Sequence, residues 1–385
     1  MAAWTRPTLA ALLTLAACDK DPATQPRRSE PPAVADEAPE PQPEPEPEPA
    51  PEPEPVPERE PEPPAEPTFG PAELTALSSE QRATLLEGDE DPPILVDIHY
   101  IQSNEGRHEL FFPYIEDVGG CAIGVGSDQT FTLAAKARST VLFMMDIDRR
   151  VVDLHHMHRA FILEAETPEQ AWAYWDRKNQ ASSVELLAAK LPDAGLDEAR
   201  VRRILRGYRA GRETVYRHLR RVLNRRRGGR NVTWLSDPDS YAHIRALYQT
   251  DRVRIMQGNL AGANSMRTAA TACAALGETM RVVYMSNAEE YFTYTADFVR
   301  NVTAQPTDAR SVLLRTIYSK KWEHADLWAY QVHKLSDFKT RLADRKNRRR
   351  TTMLRHAKQD GGLERESLQI EGFSRIGFVD DETAP

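Results

Sequence analysis

Past about residue 68 the hydrophobic positions fall into short blocks, and the period of each block predicts an element. Residues 71–86 carry leucine and alanine at helical spacing and predict an opening helix. Pro92-Pro93 follows it, and 94–101 alternates as a strand does. Residues 110–118 predict a second short helix that runs into Gly119-Gly120. The next block, 121–125, is apolar without a break and ends in Gly126-Ser127-Asp128, with helical composition over 130–138. Residues 140–145 are a second unbroken apolar run, the pattern of a parallel strand covered on both faces, and it stops at Asp146-Ile147-Asp148. A helix is predicted over 150–164. From 167 to about 250 the pattern is helical throughout. Thr167 is placed to cap and Pro168 to open the first turn, and Val201, Ile204, Leu205, Tyr208, Val215, Leu219, Val222 and Leu223 recur at helical spacing over 197–223. Alternation then resumes with a strand at 252–259, a helix at 265–276, a strand at 280–285, a helix at 288–302 and a strand at 311–317. The fold class this implies is α/β: a doubly wound, mostly parallel sheet with a helical insertion after the second core strand. The domain spans 69–340, its insertion about 167–250, and 341–385 reads as a basic, then acidic, C-terminal tail.

The first 68 residues have another character. One positive residue, Arg6, precedes an apolar run from Thr8 to Ala17, which is the layout of an export signal over 1–17 and too short for a membrane-spanning helix. Leu15-Ala16-Ala17-Cys18 resembles the lipobox of bacterial lipoproteins. The resemblance implies cleavage after residue 17, a lipid (palmitate among its acyl chains) on Cys18, and residence in the cell envelope, at a periplasmic membrane face or the cell surface. Acyl chains contribute ~0.8 kcal/mol per buried methylene, enough for lasting membrane attachment. Over 18–68, with Pro-Glu pairs repeating from Glu40 to Glu62, the composition predicts an extended, disordered tether.

Charge follows the same division. Residues 19–67 hold 15 Asp/Glu and 4 Lys/Arg, Arg6 adds one positive charge, and the whole chain carries −8, so the folded part sums to +2. The acidity belongs to the tether. Cys121 and Cys273 each lie in an apolar stretch, and two cysteines make no disulfide framework. They are expected to be small buried residues rather than a bonded pair.

Four strand ends carry the candidate chemistry. Ala122-Ile123-Gly124-Val125-Gly126-Ser127-Asp128 closes the first core strand, Asp146 stands 20 residues after Gly126 at the end of the second, Gly258-Asn259 ends the third, and Ser286-Asn287-Ala288-Glu289-Glu290-Tyr291 follows the fourth. In this order they resemble class I S-adenosylmethionine methyltransferases, whose domain is Rossmann-like. Glycines in such a turn let a ligand approach the backbone at a helix N-terminus. The resemblance implies a cleft lined by Gly124, Gly126, Ser127, Asp128, Asp146, Asn259, Ser286, Asn287 and Glu290, with S-adenosylmethionine as the cofactor. Three positions depart from the family: Ala122 stands in place of the leading acid, Asp128 in place of a third glycine, and Asn259 in place of an Asp. S-adenosylmethionine is also made in the cytosol, away from an envelope protein. The expectation is therefore a degenerate cleft on a binding or scaffolding protein, uncertain as an enzyme, the alternative being a transferase that uses S-adenosylmethionine or another small ligand. The stretch 112–120 ahead of the turn extends the resemblance to uncharacterised bacterial lipoproteins with this domain, which implies architecture and address but no reaction.

His155 and His158 share one helix face, with His156 beside them. No second cluster has ligand spacing, so packing or surface histidines are expected and no metal site. Between Arg200 and Arg230 stand 13 arginines and one acid, Glu213. Arg202, Arg206, Arg209, Arg217 and Arg220 are the candidate anion-contact surface, for a membrane's anionic lipid headgroups, an anionic wall polymer or the chain's own Pro/Glu tether, and a protein partner is a further expectation. Nucleic acid is not expected outside the cell. No Gly-x-Ser-x-Gly or Walker loop supports a hydrolase or nucleotide-hydrolysis reading.

Overall fold

A computed structural model of the chain describes residues 74–94, 96, 99–365 and 368–378. The expected export signal, Cys18 and the Pro/Glu stretch to 68 lie outside the described residues. Helix α1 (Ser79–Leu86) opens at a capping box, in which Ser78 and Gln81 satisfy each other's backbone N–H. Residues 94, 96 and 99–101 are irregular rather than a strand. A 3-10 turn, His108–Phe111, and α2 (Phe112–Ile115) replace the single helix expected over 110–118.

The α/β alternation then follows the pattern of the apolar blocks. It runs β1 (Cys121–Val125), α3 (Gln129–Lys136), β2 (Val141–Asp146) and α4 (Arg149–Glu164). Helices α5 (Pro168–Ala173), α6 (Gln180–Lys190) and α7 (Glu198–Leu223), a hairpin of β3 (Arg226–Arg227) and β4 (Arg230–Asn231), and α8 (Pro238–Gln249) come before β5 (Val253–Gln257). Next are α9 (Ser265–Ala275), β6 (Met280–Tyr284), α10 (Ala296–Thr303) and β7 (Val312–Ile317). The helix expected over 288–302 is only a 3-10 turn at Ala288–Glu290 followed, after a break, by α10, which Thr295 caps.

Five parallel strands lie in the order β5-β2-β1-β6-β7. The chain fills one side of β1, then returns to fill the other, which is Rossmann-like winding. Beyond β7 the sheet continues with β8 (Ala329–Lys334), antiparallel to β7, and α11 (Leu335–Ala343) and α12 (Arg350–Gln359) follow in the chain. β9 (Leu363–Glu364) takes the edge, and β10 (Phe373–Ile376) pairs with β8. The expected tail over 341–385 is corrected here: Phe373 and Ile376 are buried, and 373–376 complete an eight-stranded sheet. That strand pairs with the nearby two-residue β9 and, 43 positions back, with β8, so its local composition carries little strand signal.

Alternate residues of the strands face two separate layers. Leu142 and Met144 pack with Phe131, Phe161, Trp234 and Tyr241 beneath α3, α4, α7 and α8. Val141, Phe143 and Met145 pack with Leu85, Met266, Phe298 and Phe338 beneath α1, α9, α10 and α11. Each such side chain contributes ~1.5–3 kcal/mol on burial, and helices on both faces explain the unbroken apolar runs. Cys121 and Cys273 lie in the second layer and are bonded to each other, with Cα atoms 6.3 Å apart across 152 residues of sequence. This overturns the expectation of two unbonded residues. Parallel pairing brings the start of β1 beside α9, a proximity that sequence spacing does not reveal. No helix among the described residues is long and apolar enough to cross a membrane.

Candidate functional site

Sheets wound in this way bind ligands at the carboxyl ends of their strands, in the crevice where the winding reverses, here beside β1. All nine expected cleft residues reach this edge, yet most of their polar atoms are engaged by the protein itself. Gly126, at φ +93°, donates its N–H to Asp146 Oδ2 at 2.8 Å, and the Asp148 N–H takes Oδ1 at 2.7 Å. Burial pushes the Asp146 carboxyl up to about 6 against the pull of those two bonds, and the neighbouring Asp148 charge adds to the rise. A Cβ on Gly124 would stand 2.4 Å from Thr130 Oγ1, so the close approach at this glycine is made by α3.

Ser127 and Asp128 are buried. Ser127 Oγ lies 3.0 Å from Gln129 Oε1, while Asp128 takes His218 Nε2 at 2.5 Å and the Trp234 indole N–H at 3.1 Å. Burial opposes ionisation of Asp128, but the charge and hydrogen bond of His218, with His158 and Trp234 assisting, hold it far below the usual carboxylate range. Its expected place in a ligand cleft is corrected: Asp128 ties the β1 turn to α7. Asn259 commits Oδ1 to the Ala261 N–H at 2.9 Å. Beside it, the Asp91 carboxylate fills the N-terminus of α9, accepting from the N–H groups of Asn259, Asn264 and Ser265 at 3.2, 2.9 and 3.2 Å. A helix N-terminus of this kind can hold an anion, and here the chain supplies one. Glu290 accepts from the Tyr318 N–H at 2.9 Å and lies 3.3 Å from Arg350. Asn287 Oδ1 makes a long contact, 3.5 Å, with Ser286 Oγ, and its side chain also hydrogen-bonds Tyr291.

The residue that organises this edge is Glu105, which the sequence pattern does not single out. Ser286, a non-glycine at φ +49°, donates to Glu105 Oε1 at 2.5 Å, and Thr316 Oγ1 donates to the same oxygen at 2.8 Å. The Tyr284 hydroxyl and His108 Nε2, the latter at 3.0 Å, meet Oε2. Burial alone would raise the Glu105 carboxyl; the hydrogen bond and charge of His108, with Ser286 and Tyr284, outweigh it and hold it below its ordinary value. Ser286, Thr316, Tyr284 and His108 converge on its two oxygens. Six residues earlier, His99 Nδ1 meets Asp148 Oδ2 at 2.6 Å. Asp148 follows β2, Ser286 follows β6, and β1 lies between these strands, so residues 99–105 cross the end of β1 as a strap. Between the two pins, Gln102 accepts from Arg221 at 3.3 Å, and Ile101 packs so closely on Gly211 of α7 that a Cβ there would come within 3.1 Å. The strap explains why 99–101 form no strand. The only local hint is an acid and a histidine three positions apart, and the partners of Glu105 lie 181 and 211 residues further on.

His155, His156 and His158 are all buried, with none at the surface. His155 and His158 stand edge-on to Phe131, and burial pushes His155 and His156 down to about 3 and His158 to about 4. Among the described residues no group of three or more His, Cys, Asp or Glu is placed to hold a metal ion. The five candidate arginines, Arg202, Arg206, Arg209, Arg217 and Arg220, are all exposed on α7.

A family model described as a domain of unknown function, DUF7790, matches residues 100–377. The chain belongs to the DUF7790 family. No curated protein matches the sequence. The DUF7790 unit begins within the strap and ends just past β10, so it takes in Glu105, all eight strands of the sheet and the arginine-rich helix, while α1 and Asp91 precede it.

Proposed function

We propose that this DUF7790 chain is a lipid-anchored envelope protein that works by binding, a scaffold on a methyltransferase-like frame whose cofactor cleft is given over to the protein's own contacts. The strap carries this reading. A cofactor lying in the crevice beside β1 would have to displace residues 99–105, break the His99–Asp148 pin and strip Glu105 of its donors. Asp146, which in the methyltransferase resemblance would hold the ribose hydroxyls, already accepts two backbone N–H groups. The buried Cys121–Cys273 bridge supports the address implied by the export signal and Cys18, because such bonds persist in oxidising compartments. One observation favours a second reading, a small-ligand transferase acting at Ser286, Asn287 and Glu290: Ser286 is partly exposed and keeps a positive φ that costs energy in a non-glycine residue. Calorimetry of the detergent-solubilised chain with S-adenosylmethionine, and with its demethylated product, separates the two. No binding tighter than ~1 mM is expected; micromolar binding abolished by Asp146→Ala would overturn the proposal.

A further inference from the structure

We propose that the outer face of α7 binds a linear polyanion, a polymer bearing phosphate or sulfate groups along its length; this rests on the reading of the domain as a binding module. Arg202, Arg206, Arg209, Arg217 and Arg220 recur at helical spacing on the exposed side of α7, opposite the buried Val201, Ile204, Tyr208, Val215, Leu219 and Val222. At 1.5 Å per residue the row is ~27 Å long. Gly207 and Gly211 leave the helix unbroken. Glu213, exposed between Arg209 and Arg217 at the same helical spacing, is the one acid of the row.

The arginines of this helix divide by role. Arg200 and Arg203 bond to the buried Asp153, and Arg212 bonds to the Trp175 carbonyl and to Glu213. On the outer row, Arg202 and Arg217 each meet one exposed glutamate, Glu198 and Glu213, pairs that an incoming anion can exchange. Arg206, Arg209 and Arg220 have no carboxylate within ion-pair distance among the described residues. Past the helix, Arg226 and Arg230 stand exposed on the β3–β4 hairpin.

Two features choose the partner. Residues 200–230 contain 13 arginines and no lysine. Nonspecific attraction needs only point charges, whereas the planar guanidinium fork pairs bidentately with oxyanions such as phosphate. A membrane surface fits less well, since none of the exposed large hydrophobic residues lies on α7 to insert between lipids.

The test is equilibrium binding of the full-length chain to labelled polyphosphate, to heparin, and to phosphatidylcholine vesicles with and without phosphatidylglycerol. Polyphosphate or heparin is expected to bind and to weaken as salt is added. The triple change Arg206→Glu, Arg209→Glu, Arg220→Glu should cost about tenfold or more while leaving the melting temperature unchanged, since all three side chains are exposed. The corresponding triple lysine variant should lose several-fold; binding equal to the parent would remove the case for fork recognition. No polymer binding at low salt, undiminished binding by the triple glutamate variant, or binding to anionic vesicles alone would each overturn the proposal. Calorimetry with S-adenosylmethionine reads the strand-end cleft and not α7, so a failure of this proposal is distinguishable from a failure of the reading it rests on.

Discussion

His155, His156, His158, His243 and His333 are buried, and burial pushes each of them down to between about 3 and about 4. In the unfolded chain the same rings take up protons near pH 6.5. Their neutral forms therefore contribute stability that is complete above the unfolded value and is lost as pH falls from ~6.5 toward ~4. Once below the unfolded value, each ring costs ~1.4 kcal/mol per pH unit. Five such rings predict a melting temperature that drops steeply over this window, followed by circular dichroism across a pH series. A flat profile between pH 6.5 and 4.5 would show that the rings are not held neutral. Asp128 and Asp337, held low by His218 and by His333 with Arg341, contribute stability that is lost only at still lower pH.

Among the elements, those covered on both faces were legible because an unbroken apolar run says little else: β1, β2, β6 and β7 lie within a residue or two of their expected places. β8 was not legible, and its composition shows why. Gln331 and His333 are fully buried in the middle of the strand, satisfied by Arg315, Ser374 and Asp337 from elsewhere in the chain. A polar residue with a distant partner looks like a surface residue until the partner is in place. Glu105 escaped notice for the same reason, and so did β10. The C-terminal strands lead to a direct test. Ending the chain after Ala343 removes β9, β10 and α12 and exposes the β8 edge that β10 covers. The shortened protein is expected to aggregate or to unfold without a sharp transition, as light scattering and thermal melting would show. A detachable tail would leave both measurements unchanged.

At the scale of the whole molecule, one covalent bond joins the central strand to the second layer of helices. Closing a loop of 152 residues restricts the unfolded chain far more than the folded one. Replacing both Cys121 and Cys273 with alanine is expected to lower stability by on the order of 4 kcal/mol, read from the shift of a urea unfolding midpoint, with helix content retained. Equal stability of the variant and parent would show that the bridge adds nothing to the fold. The same bond imposes an order on biogenesis. A chain that leaves the cytosol N-terminus first delivers Cys121 as a free thiol, which must wait while the helical stretch and β5 follow it out. The sequence holds three cysteines, and with the Cys18 thiol occupied by lipid, as proposed above, Cys121 has a single partner to find. Export would then present the oxidising machinery with only one pairing to make, and no incorrect bond to undo.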